Sequence, residues 1–219
     1  MSVIRARRSV SVLAVGVTVA LVAAGCGGTS EAEDELSRIS AIPDVAPSDL
    51  AEREEAMAAY LADELDIEVE YVPVSDYAAS VSLFGTGDLD MVFYGGLTGV
   101  QARLQNEGAT VLAQRDIDKS FRSVFIAHRD AGLEPIGDVD DLSALQDARF
   151  TFGSESSTSG RLMPSYFLEQ AGVDPTSDFA GEPGFSGSHD LTIDVVEAGS
   201  YEVGALNLQV WQDRREAGT

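Results

Sequence analysis

Short apolar strands alternate with amphipathic helices from Leu36 onward, and this alternation constrains the fold more than any other feature of the sequence. Strands and helices that alternate at this spacing favour a mainly parallel sheet covered by helices. The predicted segments are a strand at 39–42, a helix at 50–65, a strand at 67–74, a helix at 76–84, a strand at 89–94, a helix at 97–107, a strand at 110–114, an apolar stretch at 121–128, a helix at 139–147, a strand at 150–152, and helices at 162–170 and 193–199. The chain of 219 residues is long enough for one large domain or two small ones.

Three loops that lead from a strand into a helix are polar or rich in glycine, and open parallel sheets bind ligands at such loops. They lie at 74–77, at 93–98 and at the run of hydroxyl residues that includes Ser157, Thr158 and Ser159. The first N–H groups of a helix lack partners within the helix, and the helix dipole is positive there. The hydroxyl run therefore predicts an anion site, while a polar loop that only caps a helix is the alternative for this run taken alone.

A few single residues add to this prediction. Tyr77 and Tyr94 stand at strand-to-helix junctions and offer hydroxyl donors, although a tyrosine there can equally pack at the rim. Gly95 and Gly96 allow a ligand to approach the backbone closely, or form a tight turn. His189 precedes an apolar helix and is either a ligand contact or a structural residue.

The N-terminus has the pattern of a secretory signal. Basic residues at 5–8 precede an apolar run, Val10–Ala24, and small residues then lead to Cys26. This pattern predicts a lipoprotein signal peptide at 1–25, acylation of Cys26 and a polar tether at 26–35. A transmembrane anchor is the alternative, but the apolar run is shorter than the roughly 20 residues that span a bilayer.

The charge excludes several partners and cofactors. The net charge of −23 predicts repulsion of nucleic acid and of anionic lipid head groups, so a bound anion must be held by uncharged donors. With Cys26 lipidated, no disulfide or cysteine metal site is available, and the two histidines, His128 and His189, are far apart in sequence. We therefore expect no metal and no cofactor.

An enzyme is a weaker alternative. Ser157, His189 and Asp190 can be written as a serine hydrolase triad, but nothing in the sequence brings the histidine to the serine. The nucleophile-elbow pattern is absent, because the sequence around Ser186 ends in serine rather than glycine.

Several motifs together resemble one family, the phosphonate-type substrate-binding proteins of ABC importers, which includes phosphite, phosphate and selenate binders. The motifs that carry the resemblance are Asp76-Tyr77-Ala78-Ala79, Tyr94-Gly95-Gly96, Ser157-Thr158-Ser159-Gly160, Pro164 and Gly187-Ser188-His189-Asp190. The resemblance implies an α/β fold of the type II periplasmic binding protein class, with two doubly wound lobes at 36–125 and 126–219 that close at a hinge. It also implies that Ser157, Thr158 and Ser159 cradle a small tetrahedral oxyanion, that Tyr77 and Tyr94 reach it from the other lobe, and that His189 completes the site.

The family implies a protein anchored by lipid to the outer face of the cell membrane, which delivers the oxyanion to an ABC permease and its ATPase. A sensor that signals to a kinase is an open alternative. Family members that bind aminophosphonates carry an acidic residue where Gln209 aligns, so selenate, phosphite or phosphate is expected instead. The chain ends about a third short of the family length at Thr219, so it resembles a truncated member and is expected to expose apolar surface.

Overall fold

The computed structural model describes residues 36–218. The predicted signal peptide at 1–25, the lipidation site Cys26 and the tether at 26–35 lie outside the described residues. Within the part of the chain that is described, no helix is both long enough and apolar enough to cross a bilayer.

The first half of the described chain builds a small parallel sheet. Its strands are β1 (Leu36–Ala41), β2 (Glu68–Tyr71) and β3 (Met91–Phe93), in the order β2-β1-β3. The accompanying helices are α1 (Pro47–Leu65), α2 (Tyr77–Thr86) and α3 (Gly96–Gln105). Each of these helices follows the carboxyl end of a strand, so the N-termini of all three lie toward one edge of the sheet.

The second half builds a mixed sheet. Its strands are β4 (Ser123–Ala127), β5 (Phe150–Phe152), β6 (Gly184–Phe185) and β7 (Val203–Asn207), in the order β4-β7-β5-β6, and only the β4–β7 pair is antiparallel. The helices are α4 (Met163–Gln170), α5 (His189–Glu197) and α6 (Leu208–Ala217). Short 3₁₀ turns occupy Asp116–Ser120 and Asp140–Leu145, and a π-helical turn, Thr158–Leu162, leads into α4.

Tight packing fixes α5 against the second sheet. Gly204 lies in β7, and a Cβ atom there would come within 2.7 Å of the Thr192 methyl carbon and 3.0 Å of a Val196 methyl carbon. Only glycine leaves room for α5 at this distance. On the other side of the sheet, the rings of Phe150 and Phe179 stack with centroids 4.5 Å apart. This packing fixes the position of α5 and therefore of its first residue, His189.

The α/β class and its mainly parallel pairing are confirmed, but several predicted elements differ. The strand predicted at 110–114 is wrong: within the described residues no strand pairs with this segment, and Val111 and Leu112 are 71% and 77% exposed. The helix predicted at 139–147 is only the short 3₁₀ turn described above. The strand predicted at 67–74 ends at Tyr71, shortly before Pro73, which has no N–H to donate.

Candidate functional site

The N-terminus of α2 places a buried tyrosine at the edge of the first sheet. Asp76 caps the helix, since its Oδ1 accepts a hydrogen bond of 2.8 Å from the Ala79 N–H. Tyr77 is the next residue and is only 2% exposed, yet its hydroxyl has no hydrogen-bond partner among the described residues. Burial and the nearby charge of Asp44 raise the pKa of Tyr77, so the hydroxyl stays protonated and is available as a donor.

The hydroxyl run forms a wide turn that glycine makes possible. The Ser157 Oγ accepts a hydrogen bond of 2.9 Å from the Gly160 N–H, and the Leu162 N–H donates to the Ser157 carbonyl at 3.0 Å, which is the π-helical spacing. A Cβ atom on Gly160 would lie 3.0 Å from the Ser157 Oγ and 3.1 Å from the Gly153 Cα. The Ser157 hydroxyl also acts to lower the pKa of Tyr77, although it makes no well-formed hydrogen bond with that residue. Ser157 and Tyr77 are therefore neighbours.

Thr158 connects the hydroxyl run to the first sheet. Its Oγ1 accepts a hydrogen bond of 2.8 Å from the Leu97 N–H in the first turn of α3. The two glycines before Leu97 line this contact, since Cβ atoms on Gly95 and Gly96 would lie 3.5 and 3.4 Å from the Thr158 oxygen, at ordinary van der Waals distance. The predicted close approach to the Gly95-Gly96 backbone is thus made by Thr158. Since the oxygen is an acceptor here, its own hydrogen remains free to be donated.

His189 reaches the same region from α5. The ring is only 4% exposed, and its Nε2 lies 3.5 Å from the Ser159 Oγ. Burial lowers the pKa of His189 to about 4, so the ring is neutral near neutral pH. The Asn207 N–H donates to Nδ1 at 3.4 Å, which assigns the ring hydrogen to Nε2. His189 therefore presents an uncharged N–H donor toward Ser159.

Tyr94 is arranged differently from Tyr77. Its hydroxyl donates to the Ser80 carbonyl in α2 at 2.8 Å, and its ring meets Phe84 edge to face with centroids 6.0 Å apart. Burial raises the pKa of Tyr94 to about 12. The structure thus directs this hydroxyl to α2, whereas Tyr77, Ser157, Thr158, Ser159 and His189 form a connected group.

The sequence analysis missed the loop at 42–46, which joins the two halves. The Asp44 carbonyl accepts a hydrogen bond of 3.0 Å from the His189 N–H, and the Ala46 N–H donates to the Asp190 Oδ2 at 2.7 Å. The signal was available, because this loop also follows the carboxyl end of a strand, β1. It lacks the serine or glycine content that singled out the other loops.

The geometry argues against the hydrolase alternative. His189 lies beside Ser159 rather than forming a hydrogen bond with Ser157, and its Nδ1 accepts a backbone N–H where a triad needs a carboxylate. With the hydrogen on Nε2, the ring cannot take a proton from a serine. Asp190 instead binds the Ala46 N–H and lies 3.7 Å from Arg214. Nor, in residues 36–218, do three or more metal-ligating side chains form a cluster.

Gln209 lies in the first turn of α6, directly after β7. It is exposed on α6, where its amide donates to the Asp213 Oδ1 at 2.6 Å.

The candidate site combines a serine and threonine run, helix N-termini and a neutral histidine between two α/β sheets. This combination is typical of the α/β class of periplasmic substrate-binding proteins. A family profile described as "ABC transporter, phosphonate, periplasmic substrate-binding protein" matches residues 39–219. The chain belongs to this family. Its members are substrate-binding proteins and not enzymes.

Individual relatives agree with this assignment. The chain is 51% identical over 179 residues to a probable ABC transporter phosphite binding protein, PhnD1, of Prochlorococcus marinus (strain MIT 9301), and the match covers 82% of this chain and 60% of that protein. A structure of PhnD1 in complex with methylphosphonate superposes with a TM-score of 0.80 at 50% identity, covering 82% of this chain and 66% of that one. The phosphate-import protein PhnD of Mycolicibacterium smegmatis is 28% identical over 216 residues, covering 92% of this chain and 65% of that protein. The chain thus spans about 60–65% of the length of these curated relatives.

Proposed function

We propose that this chain is the solute-binding component of an ABC importer and captures a small tetrahedral oxyanion between two lobes. The lobes are those predicted at 36–125 and 126–219, with residues 123–125 moved to the second lobe because β4 belongs to the second sheet. The observation that carries the proposal is the hydrogen bond from the Leu97 N–H to the Thr158 Oγ1 at 2.8 Å. This bond brings the N-terminus of α3 to the hydroxyl run, and Tyr77 and His189 are neighbours of the same run. Helix N-termini and hydroxyls stabilise an anion without a countercharge.

The proposed ligand set follows from the donors and from the relatives. Ser157, Thr158, Ser159, Tyr77 and His189 are all uncharged donors near neutral pH, and Tyr94 would have to release the Ser80 carbonyl to join them. The relatives described above are a phosphite binder, a protein crystallised with methylphosphonate and a phosphate importer. Phosphite, phosphate, phosphonate and selenate are therefore the candidates. Capture by lobe closure would exchange the Thr158–Leu97 contact for contacts to the anion.

Calorimetric titration of the 219-residue chain tests the proposal. Phosphite, phosphate, methylphosphonate and selenate are titrated separately, with acetate as the control anion, and circular dichroism verifies that the protein is folded. We expect saturable heat with at least one oxyanion and none with acetate. A folded protein that gives no heat with any of the four contradicts the proposal.

Anchoring is proposed separately from binding. Acylation of Cys26 would hold the protein at the outer face of the membrane beside a permease, and the polar tether at 26–35 would let the binding domain reach it. Expression in a bacterial host followed by membrane fractionation tests this step, with Cys26→Ser as the matched variant. We expect the wild-type chain in the membrane fraction with a lipid-sized mass increase, and Cys26→Ser without that increase. An unmodified Cys26 in the exported wild-type chain contradicts it.

A further inference from the structure

The loop at 42–46 brings a carboxylate to the candidate site. The Asp44 backbone is fixed to α5 by the hydrogen bond from the His189 N–H. The side-chain Oδ1 of Asp44 is buried and has no hydrogen-bond partner among the described residues. The nearest ion-pair contact of this oxygen is the Arg53 Nη2 at 3.7 Å, which is too long for a hydrogen bond.

A buried donor without a partner lies within electrostatic range of this acceptor. The Tyr77 hydroxyl is also buried and unpartnered, and the charge of Asp44 acts on it directly. Tyr77 in turn neighbours Ser157 in the hydroxyl run. A buried polar atom without a partner is destabilising, so an unpartnered acceptor and an unpartnered donor in the same region point to a ligand that both donates and accepts.

We propose that Asp44 accepts a hydrogen bond from a protonated oxygen of the bound oxyanion, while Tyr77 donates to a deprotonated one. The site then selects oxyanions that can hold one O–H near neutral pH, namely phosphite, phosphate and methylphosphonate, against selenate and sulfate, which are fully deprotonated there. This inference rests on the proposed oxyanion-binding function and narrows its ligand class.

The electrostatics of the loop support the same selection. The groups that face Asp44 come from α1, β2, α2, α5 and the segment before β4: Arg53, Glu54, Tyr71, Tyr77, His189 and Arg115. Burial is the largest influence and raises the pKa of Asp44, against the two arginines, which lower it. A buried carboxylate repels an adjacent anion unless a proton lies between them. An oxyanion that holds this proton in the complex avoids the repulsion.

Asp44→Asn tests the proposal, because an amide can donate to a fully deprotonated oxygen whereas a carboxylate cannot. Calorimetry at pH 8 compares phosphite, methylphosphonate, selenate and sulfate. We expect the wild-type protein to prefer phosphite over selenate by more than about tenfold. The same ratio should fall at least about tenfold in Asp44→Asn. The matched control is Asp63→Asn, which makes the same charge change on the exposed face of α1 and should keep the wild-type ratio.

A proton count on the wild-type protein keeps the test independent of the folding of the variant. Phosphite is titrated at pH 8 in buffers with different ionisation enthalpies. Since free phosphite has then largely lost both of its acidic protons and the proposed complex holds one proton between the ligand and Asp44, we expect uptake of about one proton per ligand. Three outcomes would overturn the inference and leave the proposed function standing. They are proton uptake near zero, equal affinity of the wild-type protein for selenate and phosphite, and an unchanged phosphite-to-selenate affinity ratio in folded Asp44→Asn. Failure of the folded wild-type protein to bind any oxyanion overturns both.

Discussion

Replacing Thr158 by valine removes one hydroxyl and keeps the shape of the side chain. That hydroxyl has one observed role and one proposed role. Its oxygen accepts the Leu97 N–H at 2.8 Å, and its hydrogen remains free for an anion. Valine loses both roles, whereas serine retains the hydroxyl and loses only a methyl group.

The two roles differ in magnitude and in what they affect. Loss of the bond to Leu97 removes a neutral hydrogen bond and costs about 0.5–1.5 kcal/mol of folding free energy. Loss of the donor to a desolvated anion costs about 1.5–3 kcal/mol of binding free energy, which weakens the Kd about 10–150-fold. We therefore expect a modest decrease in stability and a large decrease in affinity.

Urea denaturation and calorimetric titration with phosphite measure the two effects separately. Thr158→Ser is the control and should remain within about fivefold of the wild-type Kd. A Thr158→Val variant that is folded and binds phosphite as tightly as the wild-type protein would refute the assignment of the hydroxyl run to the ligand site.

Three further substitutions test the Tyr77 hydroxyl, the neutral His189 ring and the packing of α5. Tyr77→Phe removes a buried hydroxyl that has no partner among the described residues. Urea denaturation should show unchanged or slightly increased stability, while the Kd for phosphite should rise about tenfold or more. A decrease in stability would show that the hydroxyl has a partner. His189 has a pKa of about 4 in the folded protein and about 6.5 when unfolded, so the unfolded chain binds the extra proton and stability falls as the pH decreases through this range. The wild-type protein should lose about 3 kcal/mol more than His189→Gln between pH 7 and pH 4, and equal losses would contradict the neutral buried ring. Gly204→Ala forces a Cβ atom against Thr192 and Val196. We expect the free energy of unfolding to fall by about 1–3 kcal/mol, measured by urea denaturation. An unchanged free energy would mean that α5 shifts to accept the methyl group without cost.

The sequence alone predicted the parts of the fold that depend on local patterns. Apolar strands followed by capped helices were sufficient to place α2 after Asp76 and the second half of α5, which was predicted at 193–199 and begins at His189. The strand predicted at 110–114 was wrong because a strand requires a neighbour, and no local pattern reveals whether one is present. The π-helical turn at the hydroxyl run was also not predicted, since it depends on the contact of Gly160 with the Gly153 backbone.

The candidate site could be predicted in part for the same reason. Ser157, Thr158 and Ser159 were found because hydroxyls at a helix start have a local signature. Asp44 was missed, because an aspartate in a loop is ordinary until its burial and its lack of a partner are known. The direction of the Tyr94 hydroxyl likewise depends on α2, a separate element.

The outer side of β3 has consequences for the handling of the protein. Among the described residues, β3 is an edge strand of its sheet. The Arg115 guanidinium carbon lies 4.5 Å from the centroid of the Phe93 ring in β3. The segment that leads to Arg115 carries the exposed side chains of Val111 and Leu112. The unpaired N–H and C=O groups of an edge strand, close to exposed apolar side chains, can pair with a strand of another molecule. Mutual repulsion from a net charge of −23 opposes such clustering, and dissolved salt weakens that repulsion. Dilute, low-salt buffers should therefore reduce this association, whereas concentrated protein at high salt should favour it.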